Sequence, residues 1–212
     1  MKRGLFLTLE GVDGCGKSTQ LAFLTEYLKQ KGLDVLLTRE PGGCAIPEQV
    51  RQILLNPENK QMSAETEMLL YAAARAQHIA EKILPALEAG RVVLCDRYLD
   101  SSIAYQGYGR GLGEELVRKV NWYAQEHCLP DATFLFLLEV DCSFERIRQG
   151  RESTDRLEQE SRGFFERVDF GFHRLAQREK RIRVIDAARS VEQVWAELRQ
   201  KADEVLEQWQ GI

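Results

Sequence analysis

The stretch Glu10-Gly11-Val12-Asp13-Gly14-Cys15-Gly16-Lys17-Ser18-Thr19 constrains this chain more than any other. It has the form G-x-x-x-x-G-K-S. The apolar run Leu5-Phe6-Leu7-Thr8-Leu9 precedes it at strand length, and Leu21, Leu24 and Leu28 follow at helical spacing. Strand, glycine-rich turn and helix are the context in which this pattern binds phosphate. Glycines let successive backbone N–H groups curl around an anion. The helix N-terminus adds unpaired donors and the positive end of its dipole. Gly11, Val12, Asp13, Gly14, Cys15 and Gly16 would form the cradle, with Lys17, Ser18 and Thr19 opening the helix. Lys17 brings a point charge to the outer phosphates, and the Ser18 hydroxyl can ligate Mg²⁺. The plainer alternative is a glycine turn that happens to precede Lys-Ser.

Four further strand-like runs follow, at 34–38, 91–95, 133–138 and 183–186, with helical stretches between them. Val92-Val93-Leu94 and Phe134-Leu135-Phe136-Leu137-Leu138 are apolar on successive residues, as parallel strands buried on both faces require. The alternation predicts an α/β chain with a doubly wound parallel sheet and ligands outside its carboxyl ends. At 212 residues, 44% hydrophobic and with no long linker, residues 1–212 are expected to form one domain. The net charge of −4 argues against nucleic acid or a membrane surface as a partner. No apolar run reaches 18 residues, so neither a signal peptide nor a membrane span is expected. Cys15, Cys44, Cys95, Cys128 and Cys142 form no C-x-x-C pair and read as free thiols of a reducing cytosol.

Charge gathers where ligands should bind. The second strand runs into Thr38-Arg39-Glu40-Pro41-Gly42-Gly43, placing Arg39 either near an anionic substrate or on a solvated loop. The pattern over 63–89 predicts a long helix begun by Ser63 and stopped by Gly90. On it Met68, Tyr71, Arg75 and His78 share a face. Arg75 is therefore either paired structurally or aimed at a ligand. The third strand ends in Asp96-Arg97-Tyr98. Asp96 can hold Mg²⁺ through water and Arg97 can grip a phosphate, unless the two merely cap the sheet as a salt bridge. The segment 100–111, with Ser101, Ser102, Tyr105 and Gln106, is polar and glycine-rich and reads as a substrate-lining loop. A helix is expected at 114–125. Arg146, Arg148, Arg151 and Arg156 then lie in a stretch of broken periodicity, read either as a mobile lid at about 146–157 or as charged helical surface. A surface helix, a last strand and an amphipathic helix close the chain. His78, His127 and His173 are too dispersed for a metal site.

Taken together, the glycine loop, Arg39-Glu40-Pro41-Gly42-Gly43, Tyr71-Ala72-Ala73-Ala74-Arg75, Asp96-Arg97-Tyr98 with Ser101-Ser102-Ile103-Ala104-Tyr105-Gln106, and Asp155-Arg156-Leu157-Glu158 resemble bacterial thymidylate kinases over nearly the whole chain. The resemblance implies a P-loop NTPase three-layer fold: five parallel strands flanked by helices, with a lid. It implies transfer of the γ-phosphoryl of ATP to dTMP with Mg²⁺, in a cytoplasmic homodimer. Carried over by position, Gly11 to Thr19 bind ATP, and Ser18 and Asp96 take the metal side. Arg97 and Arg39 hold the dTMP phosphate, with Asp13 near the acceptor phosphate and deoxyribose. Tyr71 stacks on thymine and Arg75 reads its edge. Ser102, Tyr105 and Gln106 line base and sugar. Lys17, Arg97, Asp96 and a lid arginine, Arg151, form the catalytic set, with Arg146 and Arg148 as alternatives for the lid position. Eukaryotic relatives carry an Arg where this chain has Gly14, and Cys44 stands where the family usually has Thr. Two other readings stand beside this one. Another P-loop nucleoside monophosphate kinase would differ only in its acceptor. A nucleotide-dependent switch should carry an Asn-Lys-x-Asp element, and the chain has none.

Overall fold

β1 (Leu5–Gly11) is buried at every residue, which only a central strand covered by helices on both faces allows. The computed structural model describes residues 3–150 and 156–210, and side chains except those of 147–150. After β1 come α1 (Lys17–Gln30), β2 (Val35–Arg39), α2 (Ala45–Leu55), α3 (Ala64–His78), a π-helical turn (Ile79–Ile83) and α4 (Leu84–Glu88). β3 (Val92–Asp96), α5 (Leu99–Ser102), a second π-helical stretch (Ile103–Gly109), α6 (Glu114–Val120) and α7 (Trp122–His127) follow. β4 (Ala132–Leu137), α8 (Val140–Gly150), α9 (Arg162–Arg178), β5 (Ile182–Asp186) and α10 (Val191–Gln210) complete the order.

All five strands are parallel, in the order β2-β3-β1-β4-β5. Register decides what meets at the carboxyl edge. Leu9 of β1 stands opposite Asp96 of β3, and Asp96 opposite Arg39 of β2. The glycine loop, Asp96 and Arg39 therefore leave the sheet side by side. Leu5, Phe6, Leu7, Leu9, Phe134 and Phe136 lie in the core between the helical layers.

The expected strands are all present, each shifted by one or two residues at an end. Ser63 caps α3 by accepting the Thr66 N–H. The single helix expected to Ala89 is instead interrupted by the π turn just before Pro85, whose ring nitrogen carries no hydrogen to donate. The helix expected at 114–125 breaks at Asn121, whose Nδ2 donates back to the Val117 carbonyl.

The largest departure is at 100–111, expected as a loop. It is helical through Gly109, and Asp100, Ser102, Ile103, Ala104, Tyr105 and Gln106 are buried. Gly109 explains how so small and polar a sequence packs: a Cβ there would crowd the Phe164 ring of α9. Bonds such as Arg110 N–H to the Tyr105 carbonyl, 2.8 Å, widen the turn, a form often found at functional sites.

Candidate active site

Gly11 ends β1 at φ +136°, where a Cβ would collide with the carbonyl oxygen of Phe136. Gly16 precedes α1 at φ +89°, in the left-handed region that suits glycine. Between them the chain curls over the end of the sheet. Val12 and Cys15 turn inward to the core, while Asp13, Gly14, Gly16, Lys17, Ser18 and Thr19 line a cleft of about 380 Å³. Lys17 is buried, and its Nζ donates to the carbonyls of Gly11 (2.9 Å) and Val12 (2.8 Å) and to Cys15 Sγ (3.6 Å). The ammonium is thus folded onto its own loop. A phosphate would offer it stronger acceptors than these carbonyls.

The same cleft extends to Arg39, Tyr71, Asp96, Arg97, Ser102, Tyr105 and Gln106, so most of the expected site residues meet in one place. Arg97 has φ +65°, unusual for a residue with a side chain. Three contacts hold the guanidinium there. Nη1 donates to the Gly11 carbonyl (2.9 Å) and to Ser101 Oγ (3.1 Å), and Nη2 to Asp13 Oδ1 (2.8 Å). It also sits over the Tyr105 ring, 5.2 Å from its centroid. Arg39 is more exposed and pairs with Glu48 at 2.9 Å.

Asp96 and Ser18 line the same cleft, and Asp96 Oδ1 is shielded from solvent without a hydrogen-bond partner among the described residues. A buried, unpaired carboxylate oxygen in a cleft that also holds a hydroxyl fits an oxygen-seeking cation. Among the described residues no cluster of three or more His, Cys, Asp or Glu could hold a metal alone. Mg²⁺ held by one or two protein oxygens together with phosphate and water matches that economy.

Arg75 and Arg156 are two expected site arginines that the fold pairs internally. Arg75 is 2% exposed, and Nε donates to Glu40 Oε2 (2.7 Å), Nη1 to Asn121 Oδ1 (2.6 Å) and Nη2 to the Tyr98 carbonyl (3.1 Å). Its partners come from elements distant in sequence, which a helical face cannot reveal. Arg156 is likewise buried, with Nε on the Leu54 carbonyl (2.8 Å) and Nη2 on Glu67 Oε2 (2.7 Å). Of the lid arginines, Arg151 and the side chain of Arg148 lie outside the described residues. Arg146, on α8, does line the cleft and donates to the Ala187 carbonyl at 3.2 Å.

Sequence reasoning missed Arg51, Leu55 and Glu40, which also form cleft walls. Arg51 and Leu55 are one turn apart on α2, a pairing visible only once α2 is known to follow the Pro41 turn. Arg51 Nη1 donates to the Pro41 carbonyl at 2.8 Å. Beneath the loop, Glu10 is fully buried and accepts the N–H groups of Tyr98 (2.7 Å) and Ser101 (3.3 Å) and the Ser101 hydroxyl. Burial, reinforced by Asp100, raises its carboxyl to about 8.

Comparison of the sequence with known proteins gives its family. The family model described as thymidylate kinase matches residues 9–198. The chain belongs to the thymidylate kinase family. A thymidylate kinase of Halothermothrix orenii is 50% identical over 201 residues, covering 94% of this chain and 96% of its own length. One from Geobacillus thermodenitrificans is also 50% identical, over 92% of this chain and 87% of its own. One from Pelotomaculum thermopropionicum is 47% identical over 97% and 95%. The family match spans β1 to α10, so the glycine loop, the Asp96-Arg97 turn and the Tyr105 helix all fall within it.

Proposed function

We propose that the protein transfers the terminal phosphoryl group of ATP to dTMP, giving dTDP and ADP. One observation carries the reading. A single cleft joins the Lys17 loop to the aromatic and amide wall of Tyr71, Tyr105 and Gln106, with Arg39, Arg51 and Arg97 between them. Such a cleft brings a phosphate loop and a base-sized wall together, with cations where phosphate charge would accumulate.

The acceptor is already an anionic phosphate, so no general base is required. Catalysis is positioning and charge neutralisation. Gly11, Val12, Asp13, Gly14, Cys15, Gly16, Lys17, Ser18 and Thr19 hold the ATP phosphates, with Lys17 moving from its loop carbonyls to the transferred group. Arg97 and Arg39 hold the dTMP phosphate. The Asp13 carboxylate fixes Arg97 and lies near the acceptor phosphate and deoxyribose. Tyr71 stacks on the base, and Ser102 and Gln106 line it. The Tyr105 ring lies against the sugar, where a 2′-hydroxyl would be unwelcome. Arg75 acts from behind the wall, holding Glu40. Arg151, with Arg146 beside it, supplies the lid cation.

Ser18 and Asp96 would hold Mg²⁺, which would supply neutralisation of phosphate charge. The chain acts in the cytoplasm as one catalytic unit with a lid at about 146–157. No helix among the described residues is long and apolar enough to cross a membrane. It works as a homodimer. Exposed Leu69 and Trp122 beside the small side chains Ala72, Ala73 and Ala76 support the α3 face as the interface.

ADP release coupled to a colour reaction tests the proposal. With ATP and Mg²⁺, turnover should appear on adding dTMP, fall with dUMP, and nearly vanish with dCMP, purine monophosphates or no acceptor. ADP release independent of acceptor would favour a nucleotide-dependent switch.

A further inference from the structure

Behind Gln106 stands Glu67 of α3, a carboxylate with no solvent exposure. Every hydrogen bond the structure gives it comes from nitrogen. Gln106 Nε2 donates to Oε1 at 2.8 Å. Arg110 donates through Nε to both oxygens at 3.2 Å and through Nη2 to Oε2 at 2.9 Å. Arg156 Nη2 donates to Oε2 at 2.7 Å. Burial opposes ionisation, yet the hydrogen bonds from Arg110, Gln106 and Arg156 hold the carboxyl below its ordinary range. An ionised carboxylate only accepts, so the end of the Gln106 amide that faces Glu67 has to be its NH₂. Turning the amide over would set its oxygen against a buried carboxylate oxygen. The other end, Oε1, takes no hydrogen bond among the described residues, and Gln106 lines the cleft.

We infer that Glu67 is a positioning residue for base selection, fixing the Gln106 amide so that a carbonyl acceptor is the group offered to the bound base. This rests on the reading of Gln106 as part of the base wall. An amide free to turn can offer either a donor or an acceptor and so discriminates poorly. A fixed acceptor favours a base with an N–H at the position it meets. Thymine and uracil carry a hydrogen on N3, whereas cytosine has a bare acceptor nitrogen there. This selection acts through Gln106 and is separate from Arg75, each of whose nitrogens has a bond within the fold, to Glu40, Asn121 and Tyr98. Arg110 and Arg156 contribute by keeping Glu67 charged.

The test compares wild type, Glu67→Gln, Gln106→Ala and the double variant by kcat/KM for dTMP and dCMP and by KM for ATP. Glu67→Gln replaces an acceptor-only group with one that can donate. The dTMP/dCMP ratio should fall roughly tenfold or more, since a site that misplaces a hydrogen-bonding group loses its discrimination. KM for ATP should stay within about twofold, which general loosening of the fold would not respect. In the Gln106→Ala background, Glu67→Gln should leave the ratio unchanged within about twofold, because the group it acts through is gone. An unchanged ratio in folded Glu67→Gln overturns the inference, as does an equal fall in both backgrounds. Equal turnover of dTMP and dCMP by the wild type overturns the base-wall reading and the inference with it. A wild-type measurement stands apart from any variant's folding. The Gln106 side-chain NH₂, assigned by its disappearance in Gln106→Ala, should exchange its hydrogens slowly. Exchange at the rate of exposed glutamines would mean that Glu67 does not hold it.

Discussion

Arg75→Ala should act mainly on stability. The guanidinium is bonded to a carboxylate, an amide oxygen and a backbone carbonyl, and it lies 5.3 Å from the centroid of the Tyr98 ring. Removing it leaves Glu40, itself 5% exposed, with a buried carboxylate whose remaining side-chain partner is His78 Nδ1 at 3.0 Å. Breaking one side of a buried ion pair costs about 3–5 kcal/mol. At 2–4 °C per kcal/mol for a chain of this size, the melting temperature should drop by about 6–20 °C. Urea denaturation gives the free energy directly, provided the slope is unchanged. Arg75→Met separates charge from bulk: it keeps the aliphatic stem and should lose nearly as much. Combining Arg75→Met with Glu40→Gln should recover most of the loss, because the stranded charge is removed. A loss below about 1 kcal/mol in Arg75→Ala, with the whole effect in KM for dTMP, would refute this reasoning and restore Arg75 as a reader of the base.

Three other substitutions probe the cleft. Lys17→Ala should lower kcat by roughly 10²-fold or more while the melting temperature barely moves, since its Nζ bonds only loop carbonyls and a thiol; near-normal turnover would contradict this. Asp96→Asn should raise the Mg²⁺ concentration for half-maximal activity by about 10–100-fold, and an unmoved titration would exclude Asp96 from the metal side. Glu10 makes stability depend on pH. Its carboxyl ionises near 4.5 when unfolded and near 8 when folded, so between these values the unfolded state has lost a proton that the folded state keeps. Stability falls as pH rises through that window. The urea midpoint of Glu10→Gln relative to wild type should therefore climb with pH up to about 8 and then level, and a flat difference would contradict the assignment.

The sheet was legible because its strands are apolar on successive residues, as in Phe134-Leu135-Phe136, and that pattern depends on nothing distant. The phosphate loop was legible for the same reason: glycines, Lys17 and Ser18 lie within one short stretch. The wall facing it was legible by residue but not by shape. Ser102, Tyr105 and Gln106 line the cleft as expected, yet they do so from a buried helix made possible by the close packing of Gly109 on Phe164. That packing partner lies in α9, far along the chain. The internal pairing of Arg75 and Arg156 was hidden for a related reason. A cation looks available until its acceptor is known, and their acceptors, Glu40 and Glu67, are brought to them only by folding. Glu67 itself gave no signal, because a glutamate in the first turn of a helix ordinarily favours the dipole and faces water.

The central claim is that one cleft passes a phosphoryl group between two nucleotides. ATP labelled at the γ-phosphorus, incubated with the protein, Mg²⁺ and dTMP and then resolved by chromatography, tests it most directly. The label should appear in dTDP, one equivalent for each ADP formed, and none should move when dTMP is left out. Label recovered as inorganic phosphate at a rate indifferent to dTMP would contradict the account.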